Sequence, residues 1–84
     1  MPLEKFADQR LLYKTAILFS GRSQVWLARE MGMPENRFSR IVNGWEQPRR
    51  FEIGLLRSVL DFEKAQRYLV ENYNMTVPLP EPRK

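Results

Sequence analysis

Apolar residues recur along the chain at the spacing of an α-helix, and glycine or proline interrupts the pattern about every ten to fifteen residues. Runs of β-branched residues, which are typical of strands, are absent. The pattern therefore predicts an all-α domain of five helices that are joined by short turns.

The predicted helix ends carry the residues that usually close helices. Ser23 and Asp61 are suitable N-caps, and glycines at positions 21, 32 and 44 can take the left-handed conformation that ends a helix. The first predicted helix runs from about Leu3 to Ser20, and the second begins after Ser23 and ends before Gly32. The third runs from Pro34 or Glu35 to Asn43, the fourth from about Arg49 to Leu60, and the fifth, capped by Asp61, to about Asn74.

A chain of 84 residues is too short to form two separate hydrophobic cores. Its length therefore predicts a single domain. We expect residues 1–75 to form this domain. Residues 76–84 contain three prolines at alternate positions, so they cannot be helical and are expected to form an extended, mobile tail. A proline-motif ligand is the alternative interpretation of this segment.

The second and third predicted helices are separated by the three residues Met31–Met33, with glycine at the centre. Such a connection is typical of a helix-turn-helix, in which two helices cross steeply. Ala28 is small enough to allow close approach at the crossing. Phe38 and Ile41 supply the inward face of the third helix. These positions predict a helix-turn-helix.

The outward face of the third helix differs from an ordinary solvated surface, which usually mixes lysine and glutamate. On a helical wheel its side chains are amides, a hydroxyl, arginine and one glutamate. Arginine suits guanine, asparagine suits adenine, serine suits either, and glutamate can accept from the cytosine amino group. The candidate base-reading residues are Glu35, Asn36, Ser39 and Arg40.

Positive charge is concentrated in the middle of the chain. The sequence has 14 basic and 10 acidic residues, and residues 22–50 hold six and three of them. An excess of this kind favours an anionic partner. For each arginine, contact with a DNA phosphate competes with a simple role in solubility; the candidates for phosphate contact are Arg22, Arg37, Arg49 and Arg50.

Several classes of function are disfavoured by composition. The sequence has no cysteine and no histidine, so it lacks the usual zinc ligands, the thiol nucleophile and the commonest general base. No apolar run approaches the roughly 18 residues of a membrane span. We expect a cytoplasmic protein that is not an enzyme, with no metal, no cofactor and no membrane contact.

The stretch SQVWLAREMGMPENRFSRIVNG resembles the helix-turn-helix of the Cro/CI-type, lambda-repressor-like DNA-binding family. The resemblance covers about residues 10–60 and implies a five-helix DNA-binding domain whose second and third helices form the motif. It is carried by Ser23 and Gln24, Ala28, Met31–Met33, Asn43 and Gly44, Pro48, Leu55, Leu56 and Leu60.

The resemblance also implies roles for individual residues. Gln24 would begin the first motif helix and grip a phosphate, and Asn43 would touch the DNA backbone at the end of the third helix. Glu35, Asn36 and Arg40 would face the major groove. Glu35 stands where the family frequently has glutamine, so it either reads a cytosine or only complements the helix dipole.

The expected function is a sequence-specific transcriptional regulator, most simply a repressor that binds a palindromic operator on double-stranded DNA as a homodimer. Surplus apolar surface on the first and fifth helices either forms the dimer interface or simply closes a small core. Trp26 either contacts a protein neighbour or packs on the first helix. Trp45 either covers the fourth helix or lies against the DNA backbone. The alternatives are an antitoxin of a toxin-antitoxin pair, with a toxin as protein partner, and a protein-interaction module that no longer binds DNA.

Overall fold

The computed structural model describes residues 7–80, and this part of the chain is all-helical. It contains no strand, as the sequence pattern predicts. None of its helices is long and apolar enough to cross a lipid bilayer. The helices are α1 (Ala7–Ser20), α2 (Gln24–Met31), α3 (Glu35–Val42), α4 (Arg50–Val59) and α5 (Phe62–Tyr73).

The ends of α2 and α5 are fixed by the caps that the sequence predicts. The Ser23 hydroxyl accepts the backbone N–H of Trp26 at 3.0 Å, and the Asp61 carboxylate accepts that of Lys64 at 3.0 Å. Gly32 closes α2 with a φ of 68°. Each cap satisfies a helix-terminal group that has no partner within the helix.

Several helix boundaries differ from the predicted ones by one residue. Met31 stays in the last turn of α2, so the connection to α3 consists of residues 32–34, and Pro34 is the N-cap of α3. Arg49 and Leu60 have extended backbone and are the N-cap and the C-cap of α4, so they lie just outside the helix. The predicted beginning of the first helix at Leu3 lies outside the described residues.

All five helices contribute side chains to the core, with α1 packed on α3 and α5 and α2 packed on α3 and α4. The three inward residues of α3 are completely buried, which matches the predicted face of this helix. On α1 only one side enters the core, because Leu12 and Ala16 are buried whereas Leu11 and Leu18 are exposed. The fully buried residues of α3 are Phe38, Ile41 and Val42.

The described part of the proline-rich segment packs against the helices, so the predicted domain boundary at residue 75 does not separate it from the core. Val77 is only 2% exposed and belongs to the core cluster. The Gln66 side chain binds the Val77 backbone at both its N–H and its carbonyl. Arg57 donates to the Pro80 carbonyl at 3.0 Å. The segment is non-helical, as the prolines require.

Val77→Ala is expected to lower the free energy of unfolding by about 1 to 2 kcal/mol, because it removes buried methyl groups from a packed site. Thr76→Ala is the matched control, since Thr76 is the exposed neighbour. Urea denaturation measures the free energy of unfolding of both variants. Equal stability of the two variants would show that residues 76–80 do not pack on the core in solution.

Candidate nucleic-acid interface

Helix α3 has one buried face and one exposed face. Glu35, Asn36 and Arg40 are exposed, and Ser39 is half-buried beside them. Asn36 and Arg40 are four residues apart, so they lie one turn apart on the same face. The structure therefore brings together the four predicted base-reading residues on one accessible surface.

An open groove of about 500 Å³ lies at the C-terminal end of α3. Asn43 lies in it, and its Nδ2 donates to the carbonyl oxygen of Ser39 at 2.8 Å and to the hydroxyl of Ser39 at 3.2 Å. The amide of Asn43 is thereby oriented by its own helix. The groove is lined by Ser39, Arg40, Asn43, Trp45 and Glu46.

Arg37 points into the protein, although the sequence suggests it as a DNA backbone contact. Its side chain is 19% exposed and forms a two-point pair with Glu52, through Nε at 3.1 Å and Nη2 at 2.8 Å. It also donates to the Glu46 carboxylate and to the Gln47 carbonyl. Four of its five N–H donors are thus used within the domain. Arg37 is therefore occupied within the domain and is not among the exposed candidates for contact with the DNA backbone.

Glu52 is the buried partner of this pair, and its side chain is only 6% exposed. Besides the two bonds from Arg37, it accepts the backbone N–H of Arg49 at 2.6 Å. The Arg37 guanidinium lowers the pKa of Glu52, against the opposing effect of burial. The same hydrogen bonding raises the pKa of Arg37. Glu52 consequently ties the beginning of α4 to the middle of α3.

The loop between α3 and α4 is held by Gln9 of α1. Gln9 is buried, and its Nε2 donates to the Ile41 carbonyl at 2.7 Å and to the Glu46 carbonyl at 3.1 Å. The backbone N–H of Trp45 donates to the Arg40 carbonyl at 2.9 Å. These bonds fix the loop where it leaves the exposed face of α3.

Arg40 is exposed and is held by one contact. Its Nη1 lies 3.4 Å from Oε2 of Glu46, and its side chain is 62% exposed. The other carboxylate oxygen of Glu46 binds Arg37. Glu46 therefore connects the partly buried Arg37 to the exposed Arg40.

The remaining predicted DNA contacts lie at the beginnings of α2 and α4. Arg22 is exposed, and its guanidinium carbon lies 4.5 Å from the centre of the Trp26 ring, a cation–π arrangement. Arg49 and Arg50 are exposed at the beginning of α4. Gln24 is the half-buried first residue of α2.

Two acidic residues of this region, Glu46 and Glu52, are absent from the predicted site. Glu52 could have been found from its register, because it lies one turn before Leu56 on the inward face of α4, where a charge requires a partner. Glu46 lies in a loop, nine residues after Arg37, and no local periodicity indicates such a pair.

Within residues 7–80 no group of three or more potential metal ligands comes together. Comparison with protein-family models, curated proteins and solved structures gave no match for this chain.

Proposed function

We propose that the chain is a sequence-specific DNA-binding regulator that reads the major groove with α3. In this proposal α2 and α3 form a helix-turn-helix, and α3 is the recognition helix. The observation that carries the proposal is the exposed face of α3, on which an amide, a hydroxyl, a guanidinium and a carboxylate occupy consecutive turns. The proposed base-reading residues are Glu35, Asn36, Ser39 and Arg40.

The helix ends and the loop support this proposal. A three-residue connection lets α3 leave α2 at a steep angle, and buried apolar residues on the opposite face of α3 keep its polar face outward. The Arg37–Glu52 pair and Gln9 fix α3 against its neighbours. A rigid support of this kind favours base recognition, because a reading side chain must be placed accurately.

Exposed cations beside α3 supply candidate contacts to the DNA backbone. Arg49 and Arg50 begin α4, where the helix dipole adds to their charge, and Arg22 precedes α2. Gln24 and Asn43 are the two polar candidates for phosphate contact. Contacts of this kind position a protein on the duplex, whereas base contacts select the sequence.

We propose further that the regulator is a homodimer, which would allow it to read a two-fold symmetric operator. Its candidate interface is an aromatic patch formed by Phe19 of α1 with Tyr68 and Tyr73 of α5. All three residues are exposed, and the Tyr68 ring contacts both Phe19 and Tyr73 edge to face. The same patch favours the second candidate function, an antitoxin whose toxin covers it.

In-vitro selection from random duplex DNA tests the proposed function. A selected motif with two-fold symmetry and half-sites about ten base pairs apart is the expected result for a dimer. A motif without symmetry would contradict the homodimer. The absence of any selected motif would contradict DNA reading and favour the protein-interaction function.

Arg40→Ala is expected to weaken binding to the selected site by about 1 to 3 kcal/mol and to relax the preference at one base position. The physical reason is the loss of a two-point hydrogen-bonding pair with a base edge. Arg67→Ala, an exposed arginine of α5, removes the same charge and is the control. Equal weakening by both substitutions would show that Arg40 contributes only its charge.

A further inference from the structure

We propose that Glu46 is a positioning residue that sets DNA specificity by holding Arg40 in the orientation in which it reads a base. The proposal rests on the proposed function, because it assumes that Arg40 contacts DNA. It concerns a residue outside the recognition helix, in the loop that follows α3. Glu46 itself need not touch DNA.

Three groups of Glu46 form hydrogen bonds within the domain: its backbone N–H, its carbonyl and one carboxylate oxygen. Its backbone N–H donates to the Arg40 carbonyl at 3.3 Å, and its carbonyl accepts the Gln9 amide at 3.1 Å. One carboxylate oxygen binds Arg37, which is itself held by the buried Glu52. The position of the second carboxylate oxygen is therefore set by the contacts of Glu46 with Arg40, Gln9 and Arg37.

That second oxygen is the one that meets Arg40. The distance from Oε2 of Glu46 to Nη1 of Arg40 is 3.4 Å, and the Arg40 side chain is otherwise largely exposed. An unrestrained arginine loses much rotamer entropy when it binds, and a partner that orients it beforehand reduces that cost. Because one contact occupies few of the guanidinium donors, others stay available for the two acceptors of guanine.

The negative charge of Glu46 also favours specific over non-specific binding. A carboxylate beside Arg40 offsets the attraction of this arginine to phosphates. It therefore penalises complexes in which Arg40 leaves the base edge for a phosphate. A repulsive group that disfavours the wrong complex is a general means of achieving specificity.

Glu46→Gln tests this role, because the amide keeps the shape of the side chain and removes its charge. With the wild-type selected site and a scrambled duplex, we expect the ratio of specific to non-specific affinity to fall about 3- to 10-fold. Non-specific affinity should rise, and the base preference at the Arg40 position should flatten. Glu63→Gln is the matched control, since Glu63 pairs with the exposed Arg57 at 3.0 Å on another surface.

The double variant Glu46→Gln/Arg40→Ala separates positioning from a structural role. If Glu46 acts through Arg40, the glutamine substitution should leave the base preference unchanged when Arg40 is already alanine. A loss of specificity of equal size in both backgrounds would overturn the proposal, and so would an unchanged base preference in Glu46→Gln alone. Thermal unfolding of each variant checks that it is folded.

The experiments distinguish a failure of the proposed function from a failure of the role proposed for Glu46. If the wild-type protein selects no DNA motif, both are overturned. If the wild-type protein selects a motif and Glu46→Gln retains the same preference, only the role of Glu46 is overturned.

Discussion

Phe38→Ala is expected to lower the free energy of unfolding by about 3 to 5 kcal/mol. Phe38 has no exposed surface and belongs to the central core cluster, where it joins α3 to the rest of the domain. Removing its ring costs the transfer free energy of the ring and leaves a cavity that close-packed neighbours fill only in part.

The loss is large relative to the stability of so small a domain. At about 0.05 to 0.15 kcal/mol per residue, a chain of 84 residues has roughly 4 to 13 kcal/mol in total. We therefore expect Phe38→Ala to unfold at a much lower urea concentration than the wild-type protein. Circular dichroism measures the loss of helix in both proteins as the urea concentration rises.

Phe51→Ala is the matched control for this prediction. The same chemical group is removed, but the Phe51 side chain is 65% exposed at the beginning of α4, so little buried surface is lost. An effect within about 0.5 kcal/mol is expected. Similar destabilisation by both substitutions would mean that α3 does not lie on the core as described.

The all-helical fold could be predicted from the sequence because its signals are local. Gly32 and the hydroxyl of Ser23 mark helix ends within a few residues of their effect, and the apolar spacing of α3 is visible within eight residues. The boundaries that differ depend on whether a terminal residue belongs to the helix or to its cap. At Arg49, the deciding contact is the carboxylate of Glu52, three residues along the chain, which accepts the Arg49 backbone N–H and leaves Arg49 as the cap.

The candidate site was predictable only where it depends on the face of a single helix. The exposed positions of Asn36 and Arg40 follow from the burial of Phe38, because all three lie on one helix. The inward position of Arg37 does not follow, because it is decided by carboxylates nine and fifteen residues away. The burial of Val77 likewise depends on a long-range contact, its two hydrogen bonds with Gln66 of α5.

Arg37→Met is expected to lower the free energy of unfolding by about 2 to 4 kcal/mol at neutral pH. The substitution leaves the Glu52 carboxylate buried without its cation, and only the Arg49 backbone N–H remains bonded to it. Arg57→Met is the matched control, because its pair with Glu63 is much more exposed and should contribute less than about 1 kcal/mol.

The pH dependence of this loss distinguishes a missing charge partner from a simple loss of packing. In the wild-type domain Arg37 holds the pKa of Glu52 below its ordinary value, so the ion pair stabilises the fold above that value. This stabilisation is lost as the pH falls through the pKa of the folded state. In Arg37→Met the pKa of Glu52 should instead rise, because burial then acts without a compensating cation.

The two proteins should therefore differ most near neutral pH and approach each other in acid, where Glu52 is protonated in the variant. Urea denaturation at a series of pH values measures this convergence. A constant difference at every pH would show that Arg37 stabilises the domain through its packing alone. Convergence would establish that Arg37 stabilises the domain as the charge partner of the buried Glu52, and not through its packing alone.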